Sequence, residues 1–127
     1  YFSSHRSGLF PHTGSAHERG AGNLHNVLLP PGSGGFRFRN IWLDTLLPAL
    51  DDFRPQLLLV SAGFDAHLSD PLADLMLEAE DFAWITGELR TLATRHAGGR
   101  LVSMLEGGYN LEALAECAVA HVGALRD

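Results

Sequence analysis

The sequence predicts an α/β fold, a parallel sheet flanked by helices. Three observations carry that expectation. Two short apolar runs, at residues 57–60 and 101–105, lack the polar alternation of a half-solvated strand. Each is followed by a glycine-bearing loop, at 61–71 and 106–110, and each loop by a long amphipathic segment, at about 74–95 and 111–124. The order strand, loop, helix, repeated, is the pattern of parallel strands joined by helical crossovers.

The elements follow along the chain. Residues 1–23 are rich in Gly, Ser, His and Pro and read as one long loop, a length that in a compact domain signals function. Residues 24–29 read as a short strand, stopped by Pro30-Pro31 and the turn residues up to Gly35, a stretch that could hold an insertion. A helix is expected at about 40–52. Asn40 would cap it, Ile41, Leu43, Leu46, Leu47 and Leu50 supply its apolar stripe, and Pro48 would bend it or mark a later start. The run Leu57-Leu58-Leu59-Val60 suits a strand buried on both faces. Gly98-Gly99 ends the helix after it, and Asn110 caps the last one.

The 127 residues suffice for one domain. The hydrophobic share of 46% is enough to build a core and speaks against disorder. The net charge is −6 and all nine basic residues are scattered Arg, which leaves no footprint for nucleic acid. No apolar run approaches the roughly 20 residues of a membrane span. Cys117 is the sole cysteine, so neither an intrachain disulfide nor a thiolate zinc cluster can form, and a reducing, cytoplasmic setting is expected.

In parallel α/β sheets ligands bind beyond the carboxyl ends of the strands. The loops SAGFDAHLSDP (61–71) and EGGYN (106–110) leave from those ends and would lie side by side on adjacent strands. Asp65 sits close to a strand tip, where a carboxylate suits a cation such as zinc, or merely stabilises the loop. Asp70, before Pro71, suits a helix entry. Tyr109 could donate a hydrogen bond to a developing oxyanion, or pack on the core with its hydroxyl exposed. Gly107-Gly108 also admits a phosphate-loop reading, which no complete phosphate motif supports. The seven histidines have scattered spacing, with no HExxH or HxH pair.

The segments LLLVSAGFDAHLSDPL (57–72) and LVSMLEGGYN (101–110), with SSHRSGLFPHTGSAHERG (3–20), resemble motifs of the zinc-dependent histone deacetylase family. The LEGGYN form is most similar to class II and bacterial deacetylase-like amidohydrolases, among them acetylpolyamine amidohydrolases and acetoin-utilisation proteins. The resemblance covers nearly the whole chain. It implies that residues 1–127 are the C-terminal portion of a single deacetylase domain, with an arginase/deacetylase-type sheet. It implies that Asp65 is a zinc ligand and Tyr109 the catalytic tyrosine. Asp70 matches an aspartate outside the ligand set, in a supporting role. Phe10, Leu72, Gly107 and Gly108 match positions of the substrate channel. Ser3 and Ser4 match a structural monovalent-cation site, for K⁺, which His5 supports. Leu72 at the channel mouth tilts away from polyamine substrates.

The family's Asp-x-Asp-x-His-His motif and its catalytic His-His pair do not occur in this sequence. The expected function is therefore zinc-dependent removal of acyl groups from lysine side chains or small amines by a complete protein, with residues 1–127 inactive alone. An exposed strand edge would favour self-association into a homo-oligomer. The alternative from another class is a non-catalytic α/β binding module that keeps the fold.

Overall fold

The computed structural model describes residues 1–126. Four strands form two parallel ladders. β1 (Phe2–Arg6) pairs with β2 (His25–Leu29), and β3 (Leu58–Ala62) pairs with β4 (Leu101–Leu105). The first helical stretch comprises α1 (Gly35–Ile41), a π-helical turn (Trp42–Leu46) and α2 (Leu47–Phe53), and α3 (Ala79–Ala97) and α4 (Leu111–Arg126) follow. The two ladders flank an apolar cleft of about 610 Å³, with Phe2 to Ser4 on one wall and Leu57 to Gly63 on the other.

The ladder of β1 corrects the expectation of an unbroken loop over 1–23. Phe2–Arg6 carries little apolar pattern, but its polar groups are satisfied in place. Ser4 Oγ accepts a hydrogen bond from Trp42 Nε1 at 2.9 Å. His5 Nε2 lies 2.8 Å from the Gly14 carbonyl, to which it donates, leaving Nδ1 to accept from Ser3 Oγ at 3.0 Å.

The helix expected at 40–52 begins five residues earlier, so Asn40 lies inside α1 and caps nothing. What holds its start is tertiary. Asp81 of α3 packs where a Cβ on Gly35 would stand, 2.3 Å from Oδ1, and accepts a 2.8 Å ion-paired bond from Arg39 Nε. Arg39 in turn lies over the Trp84 ring at 5.4 Å. Pro48 has no N–H and its ring crowds the carbonyl four residues back, which is Asp44. The chain answers with the wider π turn, in which the Leu47 N–H bonds to the Trp42 carbonyl.

The helix expected at 74–95 starts only at Ala79. The residues before it are extended and bridge to Gly34 and His67. Glu78 and Asp81 then form a reciprocal capping box, and Gly98, with φ +58°, ends the helix as anticipated.

The expectation that β3 is buried on both faces is also corrected. Leu58 and Ala62 are buried at 6% and 9%, whereas Leu59 is 65% exposed. α3 and α4 pack together and cover one face of the β3–β4 ladder, while Leu59, Val102 and Met104 lie open on the other. The core joins Leu46 and Leu50 to Leu58, Phe64, Phe82, Leu92 and Cys117. Cys117 is completely covered. Among the described residues no helix is long and apolar enough to cross a membrane.

His121 of α4 ties these layers together. Thr86 Oγ1 donates to the Phe82 carbonyl at 2.6 Å and so accepts from His121 Nδ1 at 2.7 Å, while Ser103 Oγ stands 2.8 Å from Nε2. Burial holds the imidazole below its ordinary value of 6.5. On acidification the unfolded chain therefore takes up a proton that the folded chain refuses. The neutral ring's contribution to stability is complete above pH 6.5 and declines as pH falls below it. We expect the urea midpoint of the parent to drop more between pH 7.5 and pH 5.5 than that of His121→Gln; equal drops would reject this role.

Candidate active site

The last rung of the β3–β4 ladder pairs Ala62 with Leu105, and both chains leave the sheet at the same edge. Their loops remain laced beyond it. Glu106 N–H donates to the Ala62 carbonyl at 3.0 Å and Phe64 N–H to the Gly107 carbonyl at 2.8 Å. Asp65 follows directly and sits half-buried. Its carboxylate occupies the space that two glycines leave free. A Cβ on Gly107 would stand 2.5 Å from Oδ2, and one on Gly63 would stand 2.9 Å from Oδ1. Burial pushes the Asp65 carboxyl above its ordinary value; its own backbone N–H opposes this, and the negative charge of Asp70 adds a smaller upward push. A cation placed at Asp65 would relieve both the burial and the repulsion.

Gly108, with φ +139°, turns the chain where a side chain would press on Leu114 at 3.1 Å and Phe64 at 3.3 Å. Tyr109 comes next and is 56% exposed. Asn110 accepts from the N–H groups of Glu112 and Ala113 at 3.1 and 3.0 Å, capping α4, and its Nδ2 donates to the Ser69 carbonyl at 3.1 Å.

Asp70 corrects the helix-entry reading, since α3 begins nine residues later. Its Oδ1 accepts from the N–H groups of Leu72 and Ala73 at 2.9 and 3.2 Å, and its Oδ2 accepts from the N–H of Tyr109 at 3.0 Å. Sequence reasoning missed this link, which joins residues 39 apart. It also missed His67, which is only 7% exposed and accepts from the Ser69 N–H at 3.1 Å, shaping the turn into Asp70.

The structure thus brings together Asp65, Asp70, Gly107, Gly108 and Tyr109. Ser3, Ser4 and His5 stand apart on β1, across the cleft from β3. Phe10 and Leu72 lie on loops, 91% and 67% exposed.

Among the described residues no group of three His, Cys, Asp or Glu side chains could hold a metal ion. A catalytic zinc takes three protein ligands. Asp65 is a suitable donor in kind, but the set within these residues is incomplete.

The family model for the histone deacetylase domain matches residues 1–125. The chain belongs to the histone deacetylase family. Among similar members of this family is the histone deacetylase-like amidohydrolase of Pseudomonas aeruginosa, 41% identical over 128 residues, which cover 97% of this chain and 34% of that protein. The type-2 histone deacetylase 1 of Dictyostelium discoideum is 45% identical over 106 residues, 84% of this chain and 7% of that much longer protein. The solved HDA15 HD domain superposes with a TM-score of 0.86 at 32% identity, over 98% of this chain and 36% of that one. This histone deacetylase family chain therefore spans about a third or less of the length of these relatives. The superposition also bears out the predicted α/β class, with parallel strands flanked by helices.

Proposed function

We propose that the complete protein carrying this chain is an amidohydrolase that removes acyl groups from lysine side chains or small amines. The observation that carries the reading is the shared strand tip. There the half-buried Asp65 carboxylate lies against Gly107, two residues before an exposed Tyr109. The first group grips a cation and the second meets negative charge on oxygen.

In this reading Asp65 supplies one ligand to a zinc ion whose other donors come from outside residues 1–127. Zinc, when bound, polarises an amide carbonyl and acidifies a water molecule. The contribution of this chain is the Tyr109 hydroxyl, which donates to the oxygen that becomes negative as the amide carbon turns tetrahedral. Gly107 leaves the room that Asp65 fills, and Gly107, Gly108, Phe10 and Leu72 would line the path of the substrate's aliphatic stem. Ser3, Ser4 and His5 would support a K⁺ site away from the reaction. The setting we assign is the cytoplasm, in keeping with the free Cys117.

A second reading, a binding module without chemistry, draws on the incomplete set of metal donors among the described residues. The two separate in one experiment. The complete protein should hydrolyse an acetyl-lysine peptide or an acetylated diamine, lose that activity to a chelator and regain it with added zinc. Residues 1–127 alone should bind zinc weakly and hydrolyse neither. A complete protein that hydrolyses no acylated amine after zinc loading would leave the binding module as the better account.

A further inference from the structure

Asp70 has a position in the fold that a turn-capping residue does not require. It is only 9% exposed, and none of the ion pairs among the described residues involves it. A buried carboxylate without a cationic partner must be satisfied by hydrogen bonds. Its partners are three backbone N–H groups drawn from two loops. Oδ1 serves its own loop, at Leu72 and Ala73, while Oδ2 reaches across to Tyr109. One oxygen would be enough for the turn, and the other holds the neighbouring loop. A second cross-link lies beside it, from Asn110 Nδ2 to the Ser69 carbonyl at 3.1 Å. Residues 69 and 70 therefore grip residues 110 and 109 in turn.

Among the described residues the Tyr109 side chain has no such anchor. It is more than half exposed, and it follows Gly108, whose φ of +139° marks a backbone that only glycine adopts with ease. The direction of the phenol then depends on where the Tyr109 backbone is pinned. We infer that Asp70 is a positioning residue for Tyr109, clamping its N–H so that the hydroxyl is aimed before substrate arrives. The inference rests on reading Tyr109 as the oxyanion donor. It adds that a carboxylate on the β3 loop sets the geometry of a phenol on the β4 loop. Misplacement by about 1 Å is enough to cost a large factor in rate.

The test uses the complete protein with Asp70→Asn and Asp70→Ser. Asn keeps one carbonyl oxygen, so it can serve the turn or Tyr109 but not both. Ser caps the turn through its hydroxyl and is too short to reach Tyr109. Ser thus keeps the experiment decisive if Asn fails to fold. Amide exchange in the peptide containing Tyr109 should speed up about tenfold or more, as expected for loss of a bond to a charged acceptor. The turn at Leu72 and Ala73 should stay protected in the Ser variant. The value of kcat should fall about tenfold or more with KM within about twofold. Tyr109→Phe added to Asp70→Ser should then cost much less than it costs alone, because a mis-aimed hydroxyl has little left to lose. Unchanged exchange at Tyr109, or strictly additive losses in the double variant, would overturn the inference. If Tyr109→Phe alone leaves turnover intact, the oxyanion reading fails, whereas the exchange result still reports on the clamp.

Discussion

Tyr109→Phe in the complete protein will keep its metal and turn over about 10²–10³ times more slowly, the usual consequence of losing one oxyanion donor. The hydroxyl is the only group removed. The ring, its exposure and the N–H held by Asp70 remain, so binding of the ground state should change little. The loss should therefore fall on kcat more than on KM. Asp65 lies against Gly107 rather than in hydrogen-bond contact with the phenol, which is why zinc content should be untouched. Metal analysis and steady-state hydrolysis of an acetyl-lysine peptide on the same preparation check both halves. Turnover within about threefold of the parent would remove Tyr109 from the chemistry.

Leu46→Ala will destabilise the fold by about 2–5 kcal/mol, the range for deleting a large aliphatic side chain from a closed core. Leu46 is fully buried and closes the π turn that lets the helix pass Pro48. Its neighbourhood has little freedom to refill the void. The turn fixes the backbone on one side, and the Trp42 indole is tied to Ser4 on the other. Urea denaturation at neutral pH measures the effect as a shift in midpoint at constant slope. A cost below about 1 kcal/mol would mean that the core collapses onto the space.

The parts of this fold legible in the sequence are those where local chemistry and tertiary structure agree. Gly98 ends α3 in the left-handed conformation, Asn110 caps α4 through its side chain, and the runs at β3 and β4 pair in parallel. The adjacency of the Asp65 and Tyr109 loops followed from that pairing alone. The misses have a common origin in contacts between distant residues. Phe2–Arg6 forms a strand because His5 and Ser4 find partners in Gly14 and Trp42, and no periodicity in FSSHR announces it. α1 starts at Gly35, a poor helix former, because Asp81 needs the space that a missing Cβ leaves. Residues 74–78 satisfy a helical pattern, yet the bridge of Leu77 to His67 claims them for extended structure. Asp70 carried a clear turn signal, and only the fold could supply Tyr109 as its second partner.

The chain has one thiol, and it is fully enclosed. Burial pushes the Cys117 thiol up to about 11, with Glu116 and Glu80 adding to the effect, so at neutral pH it is both shielded and protonated. An alkylating reagent can reach it only when α4 lifts from α3. Within residues 1–127 the rate of labelling then counts those openings directly, with no competing site to correct for. The interior of residues 1–127 thus holds a single-site gauge of how often α4 comes away.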